Sequence, residues 1–197
     1  MSVIDKVIAA VTPPESDKDR AEARAKATSA AEHGSWLQMV LDHHLAIESA
    51  FAAVKQAADS TSRRSAQMKL ATVLNAHSLA EELVLYPALA LNSEKAHSTM
   101  AYTEQCATKV QMAALEDLEP MSQDYLDKLE HIRGAVAHHM YEEEGNWFLD
   151  LIQKVDGPAQ KKIGQRYQQE FERYTRGAEA GKSSATAAQA SKTVGSL

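Results

Sequence analysis

Cysteine is nearly missing from this chain. Cys106 is the single one in 197 residues, which excludes an internal disulfide framework and suits a reducing compartment. Glycine and proline are also sparse, at 8 and 5, and β-branched residues never cluster. With so few breakers and abundant alanine, the composition favours helices, and no strand pattern competes. A positive excess is lacking too. The net charge is -6, which argues against an electrostatic grip on nucleic acid or on an anionic membrane. Nor is there a long apolar run. The opening stretch, MSVIDKVIAAVTPPESDKDR, is broken by Asp5 and Lys6 and ended by Pro13-Pro14. Neither a signal peptide nor a membrane span is expected, and a cytoplasmic location is the default.

What is present is enough apolar material, 44% of residues, for one domain with extra terminal pieces. The stretch from Ser16 is polar and Ala-rich, with a capping box expected between Ser16 and Asp19. It reads as an arm helix with little of its own to bury. After Gly34 comes a strongly amphipathic helix with Leu37, Val40, Leu41, Ile47, Phe51 and Val54 at three-and-four spacing. A second helix is expected at roughly 63 to 90 with Leu70, Val73, Leu74, Val84 and Leu85 inward, kinked or ended near Pro87. A third, at roughly 94 to 118, carries Met112, Leu115 and Leu118. A fourth, capped by Ser122, runs from about 123 to 155 with Leu126, Leu129, Ile132, Val136, Trp147 and Leu151 inward. A fifth, through Ile163, Tyr167, Phe171 and Tyr174, is expected to dock on the outside. The Ala/Ser-rich segment from Gly177 has no apolar stripe and is expected to be mobile. The expected fold is all-α: an antiparallel up-down four-helix bundle at 35–156, an N-terminal helical arm at 1–34, an additional helix at 157–176 and a flexible tail at 177–197.

The inward stripes contain groups that do not belong in a dry core. In the second helix the stripe runs 70, 73, 74, 77, 81, 84, 85 and so selects His77 and Glu81. In the fourth it runs 129, 132, 136, 139, 143, 147, 151 and selects His139 and Glu143. The first helix selects His44 rather than His43, with Glu48 one turn on. A buried unpaired carboxylate costs several kcal/mol, roughly enough to cancel much of a small domain's stability. Converging histidines and carboxylates must therefore take up protons or hold cations. Iron and manganese suit such ligands, and His/Glu at i, i+4 presents both on one helix face. One such pair alone is ordinarily a solvated ion pair, and His43, His97, His131 and Glu142 are read that way. Tyr86, Tyr102 and Tyr141 are read as packing residues, Met100, Met112, Met121 and Met140 as core filler, and Cys106 as buried and inert.

Three segments carry a family resemblance: LDHHLAIESAF, HSLAEELVLYPAL and HHMYEEEGNWFLDL. Over about residues 36 to 152 the sequence resembles a hemerythrin-like, or HHE cation-binding, domain. The second segment is the most specific, with H-x-x-x-E-E followed by an apolar-aromatic-proline ending. In the fourth helix, counting back nine from Phe148 again gives His139, and Leu149 stands where the family often has proline. The resemblance implies two non-heme iron ions with an oxo or hydroxo bridge, manganese or zinc being substitutes. His44, His77 and His139 would be nitrogen ligands and Glu81 and Glu143 bridging carboxylates.

The third helix departs from the pattern, since Gln105 sits where the family usually supplies a histidine four residues before a lysine. Three outcomes stand open: Glu104 enters as an oxygen ligand, His97 substitutes, or one iron keeps an open position. His97 lies about 12 Å from Gln105 along the axis, so Glu104 is preferred. Glu48 is either a further ligand or an acceptor behind one. The resemblance further implies a small ligand, O2, NO or H2O2, which the protein would bind, sense or react with in oxidative or nitrosative stress. As an enzyme it would be a di-iron oxidoreductase. The other reading is an iron-binding, storage or regulatory protein whose metal is structural or sensory. The oligomeric state is open.

Overall fold

The computed structural model describes residues 15–93 and 95–194, and among them every regular element is helical. Helix α1 spans Asp17–Ala30, α2 Trp36–Gln56 and α3 Ser60–Ala80. A π-helical turn at Glu81–Leu85 follows α3 and leads into α4, Tyr86–Asn92. Helix α5 spans Lys95–Glu116 and α6 Gln123–Glu142, and a second π turn, Glu143–Trp147, leads into α7, Phe148–Lys154. Helix α8 spans Gly157–Val194. Residues 1–14 of the expected arm and 195–197 of the expected tail lie outside the described residues. The rest of the 177–197 segment continues the backbone of α8.

The helix starts follow local chemistry. Ser16 and Asp19 form the expected capping box, and Ser35, Asp59 and Ser122 accept from the backbone N–H three residues on. Gly34 takes φ 74° in the turn before α2, a conformation that favours a residue without Cβ. Pro87 does not end its helix. It sits in the first turn of α4, where a missing N–H is tolerated, and the chain stays helical to Asn92. The second π turn, Glu143–Trp147, is followed by Phe148-Leu149 with no proline, so proline is not what widens these helices.

The apolar stripes bury two clusters. One gathers Trp36, Leu37, Val40, Leu85, Leu89, Trp147, Phe148 and Tyr167, and the other Ile47, Phe51, Leu70, Leu115, Tyr125, Ile132 and Val136. Between the two clusters lie His44 on α2, His77 on α3, Gln105 on α5 and Glu143 just past α6, with His139 one turn before it. A polar layer therefore separates two dry ends. Helices α1 and α8 are less peripheral than expected. α1 buries Ala23 and Ala27, and Gly145 of the second π turn approaches closely enough that a Cβ there would stand 3.4 Å from Ala23 Cβ. α8 packs along α3 and α2 and buries Tyr167 completely, so it does not lie merely on the outside.

Candidate metal centre

Five side chains selected by periodicity converge in the polar layer. His44, His77, Glu81 and Glu143 are all buried, and each offers one donor atom within 4.8 Å of the others. His44 Nε2 lies 3.3 Å from Glu143 Oε2, and His77 Nε2 lies 3.2 Å from Glu81 Oε2. His139 stands on the other side of the carboxylates, with Nε2 3.2 Å from Glu143 Oε1. Glu81 and Glu143 each open a π turn, so the backbone widens where a carboxylate must point inward, a common feature of functional sites.

The remaining expectations divide. Glu104 lies outside the cluster and bonds the outer nitrogen of His139, Nδ1, at 2.8 Å. Glu48 is not inward. It is 46% exposed and pairs with Arg24 at 2.9 Å, because residue 48 falls on the flank of α2. His97 stacks on Trp147. Gln105 is buried, and its amide donates to Glu81 Oε2 at 2.6 Å and to the Tyr86 hydroxyl at 2.5 Å. Cys106 is exposed, not buried, since it sits next to Gln105 on the outer face of α5. Met112 and Met140 are core residues, whereas Met100 and Met121 are exposed and fill no core gap.

Each histidine is steered from behind. His44 Nδ1–H donates to Glu144 at 2.7 Å, and Arg24 of α1 grips both oxygens of Glu144 through Nε at 3.0 Å. The Tyr167 hydroxyl lies 2.9 Å from His77 Nδ1 and 2.9 Å from His43 Nδ1. One hydroxyl can accept from His77 and donate to His43, which leaves His77 Nε2 free to bind a cation. Such partners behind a ligand fix its tautomer and orientation. His43 is thus no solvated ion-pair partner. It stacks on Phe171 with ring centroids 3.7 Å apart, and burial together with nearby His44 lowers its pKa to about 4.

Burial and crowding set the protonation of the cluster. Burial alone would lower the His44 pKa, but the Glu143 and Glu144 carboxylates beside it outweigh that and carry it up to about 9. Burial and the Glu143 charge push Glu81 well above the ordinary carboxylate range, whereas His139 and His44 hold Glu143 far below it against the effect of burial. Without a cation the layer must therefore load protons to remain buried. Even so, His44 Nε2, Glu81 Oε1, Gln105 Oε1 and Glu143 Oε2 are buried with no hydrogen-bond partner. Leaving such groups unpaired costs about 1–3 kcal/mol each. Three of these four atoms belong to the cluster of His44, His77, Glu81 and Glu143. A nitrogen and two carboxylate oxygens fit a cation of the iron or manganese type.

The comparison with family models agrees with that chemistry. A family model described as Hemerythrin HHE cation binding domain matches residues 36–151. The chain belongs to this family. No curated protein and no solved structure matches it. As a hemerythrin HHE protein it is a metal-binding helical protein, and the matched span contains all of its cluster residues. The supports Arg24 and Tyr167 lie outside the matched residues, on α1 and α8. Neither was legible from the sequence: Arg24 looked like one charge among many on a polar helix, and Tyr167 like one ring of an apolar stripe. Glu144 gave a weak signal as the second acid of an H-x-x-x-E-E segment.

Proposed function

We propose that this protein holds a pair of non-heme irons, with His44, His77 and His139 as nitrogen ligands and Glu81 and Glu143 as carboxylates shared between them. Glu104 orients His139 rather than joining the ligands. The observation that carries this reading is the set of buried atoms without partners in the polar layer, with donor chemistry that suits a cation. In the same reading the four long helices α2, α3, α5 and α6 form an antiparallel up-down bundle. Residues 35–156 are the metal-holding unit, 1–34 an arm, 157–176 an accessory helix and 177–197 a tail.

The irons supply redox chemistry toward a small ligand, O2, NO or H2O2, in an oxidative or nitrosative stress response in the cytoplasm. What the chain contributes is a dry, shaped site. The two apolar clusters keep bulk water from both ends of the layer, and Glu144 and Tyr167 hold His44 and His77 in their liganding tautomers. The His139 side comes nearest to solvent, with a side chain 9% exposed against 0% for His44. A small molecule is expected to arrive there. No helix of the described residues is long and apolar enough to cross a membrane. Mixing the reduced, iron-loaded protein with O2, NO and H2O2 in a stopped-flow instrument tests the reading. A rapid spectral change with at least one of them is expected, and inertness toward all three contradicts a role in small-ligand chemistry.

A further inference from the structure

The His139 half of the layer contains a group outside the ligand set proposed above. The Tyr86 hydroxyl is completely buried and lies 2.9 Å from His139 Nε2, 2.9 Å from Glu143 Oε1 and 3.1 Å from Glu81 Oε2, with Gln105 Nε2 at 2.5 Å. One phenol has one proton, which cannot serve both carboxylates at once. Hydrogen bonding therefore leaves this knot over-subscribed. A cation in its midst would be met by the phenol oxygen, the two carboxylates and the His139 nitrogen together. Ions with bonds of about 2.1 Å in octahedral geometry set neighbouring donors roughly 3 Å apart, the spacing seen between the phenol oxygen, His139 and the two carboxylates.

The geometry points to Tyr86 as a metal ligand, a phenolate at the second position beside His139, Glu81 and Glu143, taking over from the histidine that Gln105 replaces. This inference rests on the proposed di-iron centre. Gln105 is neutral and a weak donor, so the second position otherwise lacks an anionic ligand of its own. Loading breaks the Tyr86 O–H bond, the proton leaves to solvent, and the oxygen lone pair binds the cation. No oxidant or reductant is required. The backbone arrangement supports the assignment. Tyr86 is the fifth residue after Glu81, about 140° round an α-helix from it. The π turn between them brings the hydroxyl back to the Glu81 carboxylate. Phe148 holds the equivalent place after Glu143, fully buried and packed edge-on against Trp36. A ring alone therefore meets the packing need at this place, and the hydroxyl of Tyr86 is surplus to it.

Resonance Raman spectroscopy of the ferric-loaded wild-type protein, read beside its iron content, tests the inference without any substitution. A visible charge-transfer band whose excitation enhances tyrosine ring modes is expected. Tyr86→Phe, which copies the ring found at Phe148, should keep the fold and the iron at the His44 and His77 position. It should lose those modes completely and lose iron from the second position. Tyr125→Phe, a buried ring whose hydroxyl bonds Gln67 in the second apolar cluster and touches no proposed ligand, should keep the band. Iron-loaded wild type without tyrosine-enhanced modes overturns the inference and leaves the di-iron reading standing. So does a Tyr86→Phe variant with an unchanged spectrum or with more iron than wild type, the last making the hydroxyl a plug. A chain that takes up no iron overturns both.

Discussion

Of two buried charged networks among the described residues, the one around Arg63 is complete and the one around His44 and Glu143 is not. At the end of the molecule away from α1, Arg63 is 5% exposed yet donates to the carbonyls of Val54, Lys55, Ala57 and Pro120. Three of these are carbonyls at the C-terminus of α2, which a helix end leaves without intrahelical partners. The guanidinium and the helix end satisfy one another. The layer of His44, His77, Glu81, Gln105 and Glu143 is as deeply buried, yet four of its polar atoms have no hydrogen-bond partner. The contrast separates two meanings of a buried charge. Arg63 is a structural solution that needs nothing further, whereas the polar layer is half of a solution whose other half is a cation.

That contrast can be broken experimentally, beginning with the largest effect. Stripping iron from the loaded protein should lower stability by about 4 kcal/mol when iron was at a thousand times its dissociation constant. Thermal denaturation should show a drop on the order of 10 °C. Arg63→Met should cost about 3 kcal/mol, measured by urea unfolding, because it leaves buried carbonyls unpaired. The folded variant should hold as much iron as wild type. Loss of iron in that variant would erase the distinction between the two networks. Glu144→Ala, which frees His44 Nδ1 and Arg24, should weaken metal affinity by about 10–100-fold in a competitive chelator titration. Tyr167→Phe removes the hydroxyl behind His77 and should weaken affinity by about tenfold. If Tyr167→Phe had the larger effect of the two, the support would come chiefly from α8 and not from α1.

The comparison also explains what the sequence could show. Helical periodicity located His44, His77, Glu81, His139 and Glu143 because α2, α3 and α6 are regular up to those residues. It failed for Tyr86, which the same periodicity turns away from Glu81, because a π turn intervenes and an apolar segment gives no sign of one. It misread Glu48, which lies on the flank of α2 where α1 meets it. Arg24 and Tyr167 sit on helices whose docking depends on tertiary contacts. The sequence showed their periodicity but not which neighbour they would face. Ser16, Ser35 and Ser122 behaved as local chemistry predicts, since a cap needs only the residues beside it.

The central claim is that imidazoles and carboxylates share this interior because a cation holds them. Elemental analysis of wild type and His77→Ala, both expressed with ample iron, tests it most directly. The account predicts a pair of irons per chain in wild type and a sharp loss in the variant, which lacks a ligand nitrogen beside Glu81. A wild-type protein that emerges folded and without metal, or a variant with unchanged iron, would contradict it.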